Sequence, residues 1–194
     1  MENLTLRGKN GKIQFVKGSD IVWSRRKHIQ RAGVILYFTE NSKVYFIMGL
    51  DRKFKEWTDF GGSVNEKEKE QGQHTALREL KEETLGVFDG YIDKERIKDP
   101  KTVAVIEKAM VILFIELPIG MSEFLEKKAL YDKRVLEKKG IVENIAIDVF
   151  TQEEFMATIK GEKKDEKAMY ELVSNHLKRK ITDLNYWFSY STGK

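Results

Sequence analysis

The sequence predicts an α+β fold, a sandwich of mixed sheet and helices. Three observations carry this. Two β-branched and aromatic runs, IQRAGVILYF (29–38) and KVYFIMGL (43–50), flank the turn-forming TENS and read as a hairpin. A second pair of apolar runs, KTVAVIE (101–107) and AMVILFIEL (109–117), forms another. One stretch between these pairs and several after them have helical rather than alternating periodicity.

Taken in order, WTDFGG (57–62) is a short strand that ends on glycines, and HTALRELKEETL (74–85) is a helix of good helix formers. SEFLEKKALYDKRVLEKKG (122–140) reads as an inserted helix, about 121–140, with Ser122 as its N-cap and Gly140 beyond its end. NIAIDVF (144–150) returns to strand. TQEEFMATI then opens a helix with a capping box, Thr151 answered by Glu154. A further helix spans about 164–181 and begins a C-terminal extension, about 164–194. The tail KRKITDLNYWFSY mixes basic and aromatic residues. It suits either RNA stacking or a segment docked by its aromatics, and the second reading is favoured. No repeat or linker interrupts the chain, so a single domain over residues 1–194 is expected, with its core at about 25–160.

Composition narrows the chemistry. The 194 residues contain no cysteine, which excludes disulfides, zinc–thiolate sites, iron–sulfur clusters and cysteine nucleophiles. The most apolar stretch, VAVIEKAMVILFIEL, is broken by Glu107, Lys108 and Glu116, so no membrane span is expected. The start MENLTLRGKNGK is too polar for a secretory signal, and a cytoplasmic or nuclear setting is the default. The net charge of +4 is a weak field that helps anionic ligands approach without marking a nucleic-acid binder.

Against that positive balance, the segment from Gly61 to Gly86, GGSVNEKEKEQGQHTALRELKEETLG, is crowded with glutamate. Glu79, Glu82 and Glu83 are spaced i, i+3, i+4 and fall within roughly a 100° arc of a helix. Ala76, Leu77, Leu80 and Thr84 occupy a stripe displaced by roughly 120°. The helix can bury one side and turn its carboxylates elsewhere. Carboxylates on one face repel one another, and a hard divalent cation such as Mg²⁺ or Mn²⁺ relieves that cost. Arg78, four residues before Glu82, is placed to pair with a neighbouring carboxylate and fix its rotamer. Glu-rich helix faces are commonly only solvated, so an isolated ELKEE would not identify a site.

The surrounding residues change that. The segment resembles the Nudix box, the signature of the Nudix hydrolases: G, five residues, E, seven residues, then R-E-U-x-E-E-x-G-U, with U a bulky aliphatic. Arg78-Glu79-Leu80-Lys81-Glu82-Glu83 matches R-E-U-x-E-E without a gap, Glu70 stands eight residues before Arg78, and Gly61-Gly62 closes a strand upstream. The loop after Gly62 carries two extra residues, so the pattern's glutamate is either Glu70 or Glu68. Leu85 stands where the pattern has glycine and Gly86 comes one residue late, as if the helix ran one residue further.

The resemblance, over about residues 25–160, implies an α/β/α sandwich with a mixed sheet. It implies a divalent-metal-dependent enzyme cleaving the pyrophosphate of a nucleoside diphosphate linked to some moiety X. It implies Glu79, Glu83 and Glu82 as metal ligands or catalytic carboxylates, leaves open which carboxylate is the general base, and puts Arg78 in support of them with the Gly61 or Gly62 carbonyl nearby. Members of the family also use a glutamate outside the box. Glu143, directly before a strand, is the first candidate, ahead of Glu116 and Glu107. Trp57 and Phe60 could stack on a base, although core packing is the better expectation. Arg31, with Arg25, Arg26 and Lys27, could meet phosphates or be solvated, the favoured reading. His28, His74 and His176 have no metal-ligand spacing. A nucleotide substrate leads. An mRNA-cap hydrolase acting on RNA, and a non-catalytic nucleotide- or RNA-binding module, remain the alternatives.

Overall fold

The computed structural model describes residues 13–65, 70–99, 101–138, 142–162 and 168–191. Alternation along its strands sets up the layers. In β2 (Arg31–Glu40), Val34, Leu36 and Phe38 face one side and Ile35 and Tyr37 the other, as the two-residue period of a strand demands. β7 (Met110–Glu116) repeats this with Val111, Leu113 and Ile115 against Met110, Ile112 and Phe114. Strands apolar on both faces need a cover on both. One cover is α1 (Gly72–Glu83), the short α2 (Lys94–Ile97) and α3 (Met121–Glu137), through Ala76, Leu80, Ile97, Phe124 and Tyr131. The other is α4 (Gln152–Lys160), α5 (Glu171–Lys178) and α6 (Ile181–Ser191), through Phe155, Ile159, Leu177, Leu184 and Phe188. The result is a three-layer α/β/α sandwich, as expected.

Among the described residues the mixed sheet runs β1 (Gln14–Lys17), β6 (Val103–Glu107), β7, β2, β3 (Lys43–Asp51), β4 (Trp57–Thr58), with β5 (Phe60–Ser63) on β2 and β8 (Asn144–Thr151) on β3. The β2–β7 pairing is parallel and the others are antiparallel. Both expected hairpins form. The first turns at Asn41 (φ 50°) and Ser42 (φ 59°), two left-handed residues whose twist suits a two-residue hairpin loop.

Four details depart from the sequence reading. WTDFGG is two strands: Trp57–Thr58 pairs with β3, Phe60–Ser63 pairs with the start of β2, and the change of partner falls at Asp59. α3 begins at Met121 after Gly120, so Ser122 is not its cap. The Glu40 carboxylate at the end of β2 accepts the Met121 N–H (3.0 Å), supplying from another strand the acceptor that a local side chain usually provides. The helix expected at 164–181 is described from Glu171 to Lys178, and the chain resumes as α6 at Ile181. β1 and α2 were not anticipated, both being only four residues long. Gly140 lies outside the described residues.

The Thr151–Glu154 capping box is present in both directions. The tail is docked by its aromatics. Phe188 is fully buried and meets Tyr37 and Phe46 edge-on, at ring-centroid distances of 5.0 and 4.8 Å. Truncating it leaves an aromatic-sized hole under the sheet. Phe188→Ala is expected to lower unfolding free energy by about 3–5 kcal/mol in urea titrations; a loss below about 1 kcal/mol would show that α6 does not complete this core.

Candidate metal centre

α1 carries the three glutamates of the acidic motif on one face but in different environments. Leu80 and Ala76 enter the core, and Glu79 and Glu83, each 8% exposed, are drawn in beside them. The Glu82 side chain is 60% exposed and reaches back to Arg78 at 3.2 Å. Glu83 Oε2 accepts hydrogen bonds from the Gly61 N–H and from Asn144 Nδ2, both at 3.1 Å. A bulge in the β3–β8 pairing, where Leu50 opposes Ala146 but Asp51 opposes Asn144, lies directly after Asn144, the residue that meets Glu83. Bulges of this kind re-aim side chains beside functional sites. Glu79 lies so close to β5 that a Cβ on Gly62 would stand 2.3 Å from Glu79 Oε1; glycine there makes room for the carboxylate.

Glu143 joins them from the other side. One carboxylate oxygen each from Glu79, Glu83 and Glu143 lie within 4.8 Å of one another. Glu82 is outside this group. The Gly61 carbonyl is taken by Arg31 Nη2 at 3.2 Å. Glu107 is bound by Arg179 and faces His176, and Glu116 is bound by Lys101 at 2.9 Å, so both are committed elsewhere. His28 is exposed, His74 is half-buried on α1, and His176 is buried with Nε2 against the Val105 carbonyl.

Arg78 is the hub of the helix surface. Its Nε and Nη2 donate to the two Glu70 oxygens at 3.0 and 3.1 Å, Nη1 donates to Glu79 at 2.7 Å, and Nη2 also reaches the Ser63 carbonyl. Glu70 additionally accepts from Thr75 Oγ1 and the Asn65 N–H. The guanidinium and these donors hold the Glu70 carboxyl down at about 2. Glu70 is therefore the glutamate paired with the motif arginine; Glu68 lies outside the described residues.

Sequence reasoning missed Asp59. It is fully buried, and Arg31 grips it through both nitrogens at 2.8 and 2.6 Å. A Cβ on Gly33 would fall 1.8 Å from Asp59 Oδ2, so the glycine in β2 opens the space for this pair. Arg31 is thus neither solvated nor directed outward. Phe60 is fully buried and Trp57 packs edge-on against Phe150, so both rings are core residues here. Asn144 was missed as well; neither residue carries a pattern of its own, and only the tertiary fold brings them to Glu83.

The helix end also differs from expectation. α1 does not run on: Leu85 itself takes the left-handed conformation (φ 53°), and Gly86 follows at φ 70°. The Gly86 N–H bonds to the Lys81 carbonyl and the Leu85 N–H to the Glu82 carbonyl, a Schellman closure with leucine in the usual glycine place. α3 braces that end. Tyr131 Oη lies 3.2 Å from the Glu83 carbonyl and 2.6 Å from the Asn144 carbonyl, and Arg134 donates to the Leu85 carbonyl.

The electrostatics test whether a cation fits. Burial, then the charges of Asp59, Glu143 and Glu79, push the Glu83 carboxyl up to about 9, and burial raises Glu79 too. Among the described residues no lysine or arginine forms an ion pair with Glu83, since Arg31 is committed to Asp59 and Arg78 to Glu70 and Glu79. A site with this excess of negative charge takes up either a proton or a cation. Three carboxylates are the donor set that hard divalent ions prefer, so Glu79, Glu83 and Glu143 fit a hard divalent cation.

Two outcomes follow. With divalent ions chelated, folded Glu83 keeps a proton that the unfolded chain releases above its ordinary 4.5. Its contribution to stability is therefore full below about 4.5 and is lost as pH rises toward 9. Unfolding titrations across that window should show the stability of the wild type falling relative to Glu83→Gln; a difference independent of pH would contradict it. Arg31→Met strands the buried Asp59 charge and is expected to cost about 3–5 kcal/mol, checked by chemical unfolding; a cost under about 1 kcal/mol would mean that the pair contributes little.

No protein-family model matches the chain, and no curated protein sequence matches it. Among solved structures, it is similar to a C. elegans Ap4A hydrolase in a binary complex, with 16% identity, a TM-score of 0.43, and coverage of 80% of this chain and 98% of that one. It is also similar to Shewanella oneidensis NrtR complexed with a 27mer DNA, with 12% identity, a TM-score of 0.40, and coverage of 82% of this chain and 67% of that one.

Proposed function

We propose that this chain is a divalent-metal-dependent hydrolase that opens the pyrophosphate bond of a nucleoside diphosphate linked to a further moiety. The observation that carries the reading is the convergence of Glu79, Glu83 and Glu143 to within 4.8 Å, with Glu79 and Glu83 largely buried. The resemblance of the Gly61–Gly86 segment to the Nudix box supplies the reaction class.

In this reading Glu79, Glu83 and Glu143 hold Mg²⁺ or Mn²⁺. The bound ion supplies charge neutralisation of the pyrophosphate and a lowered pKa for water. The protein's own groups do the rest. Gly61 and Asn144 fix one Glu83 oxygen, Arg78 fixes Glu79, and Glu70 and Ser63 fix Arg78. Holding the carboxylates in place removes the reorganisation that free side chains would need. Water attacks a phosphorus, the bridging P–O bond breaks, and a carboxylate of the group takes the water's proton, leaving phosphate on both products. Glu82, exposed and bound to Arg78, stands outside the convergent group.

The test is turnover on a panel of nucleoside triphosphates, ADP-ribose, nucleotide sugars, dinucleoside polyphosphates and capped RNA, with Mg²⁺ or Mn²⁺. At least one member should be hydrolysed with strict metal dependence, and Glu83→Gln or Glu79→Gln should lower kcat/KM by at least about a hundredfold. Metal-independent turnover, or full activity in both variants, would overturn the reading. Turnover of capped RNA alone would identify X as RNA.

A further inference from the structure

The β3–β4 turn is built to display one aromatic ring. Asp51 organises it: Oδ1 accepts the N–H groups of Lys53 (2.7 Å) and Phe54 (2.6 Å), its carbonyl accepts from Lys55 (3.1 Å), and its own N–H donates to the Glu56 carbonyl (2.9 Å). Lys55 closes the turn in the left-handed region at φ 58°. Every one of these groups is engaged, and Phe54 stands 49% exposed at the tip of the turn. A large apolar side chain held in water on an ordered turn, rather than folded against the sheet, calls for an explanation.

Phe54 is not alone. Its ring stacks on Tyr170, with centroids 5.3 Å apart and an interplanar angle of 19°. The Lys53 ammonium lies over the Phe54 ring, 4.9 Å from its centroid, which places a cation at the ring itself. Two contacts tie this platform to the metal centre. The Arg52 N–H donates to the Glu143 carbonyl at 2.8 Å, so the turn and the third acidic residue share a backbone bond. The Tyr170 N–H donates to the Trp57 carbonyl at 2.8 Å, two residues before Asp59. The turn and Tyr170 are thus each one backbone bond away from a neighbour of the site, Glu143 in the first case and Trp57, which leads into Asp59, in the second.

A flat apolar ring backed by a second ring, with a cation at hand and a backbone bond joining its turn to a residue of the acidic cluster, matches a ligand that is planar at one end and phosphorylated at the other. We infer that Phe54, backed by Tyr170, is the stacking platform for the nucleobase of the substrate, with the Lys53 ammonium available to its phosphates. The inference rests on the hydrolase reading for the position of the pyrophosphate and adds where the base sits. Since every base has a π-face, the platform selects for a base-bearing diphosphate over a base-free one and not among bases.

The test is equilibrium binding by calorimetry in Mg²⁺, with the α,β-methylene analogues of ADP, GDP, CDP and UDP and with base-free methylenediphosphonate. At least one nucleotide analogue should bind the wild type more tightly than methylenediphosphonate. Phe54→Ala should cut that preference about tenfold or more, and Phe54→Trp should keep it. A preference reduced less than threefold in Phe54→Ala, or no preference in the wild type, overturns the platform. Failure of the hydrolase reading shows separately: analogues that bind through Phe54 with no panel substrate hydrolysed would retain the platform and remove the enzyme, whereas hydrolysis with unchanged preference would do the reverse.

Discussion

A carboxylate buried among other carboxylates must be held against repulsion, and Glu83 is such a group. Asp59, Glu143 and Glu79 all act on it, and burial deprives it of water. Its place depends on two donors from different parts of the chain, the Gly61 N–H on β5 and the Asn144 amide on β8. These donors are in reach only because the chain passes from β3 to β2 at Asp59, between β4 and β5, and because β8 bulges just after Asn144. The sheet's irregularities are therefore what bring acidic residues from α1 and the edge of β8 to one point. The ordinary alternation of the strands supplies the core, and the departures from it supply the site.

Neighbouring charges are partitioned so that the acidic cluster keeps its deficit of cations. Arg31 is bound to Asp59, and Arg78 is spread over Glu70, Glu79 and Glu82. Both arginines orient groups around Glu83 without neutralising it. α3 adds a mechanical brace, with Tyr131 and Arg134 bound to the carbonyls of Glu83 and Leu85 at the end of α1. The strained left-handed Leu85 is tolerated there because its neighbours hold the turn in place, which is the usual condition for such a conformation.

Much of this was legible in the sequence. The paired apolar runs gave both hairpins, and the i, i+3, i+4 glutamates gave the acidic helix face. Position alone raised Glu143, which stands before β8 with its carboxylate next to Glu79 and Glu83. What could not be read depends on tertiary placement. Asp59 looks like any turn-prone residue in WTDFGG until the chain leaves β3, which β4 pairs, for β2, which β5 pairs. Ser122 looks like a cap until Glu40, from β2, takes the helix start. Phe54 sits in DRKFKE, a stretch with no periodicity, and its stacking partner Tyr170 is supplied by a segment more than a hundred residues later. Trp57 and Phe60 flank the glycines and pack into the core, the favoured reading of both, Phe60 on one face of the sheet and Trp57 on the other.

The central claim is that the acidic convergence is a metal cradle, and anomalous diffraction from crystals grown with Mn²⁺ tests it most directly. A peak is expected between the carboxylates of Glu79, Glu83 and Glu143, absent in crystals of Glu83→Gln. Crystals with Mn²⁺ bound only at other surfaces, or with no anomalous peak near Glu83, would contradict it and leave the buried carboxylate as a protonated structural group.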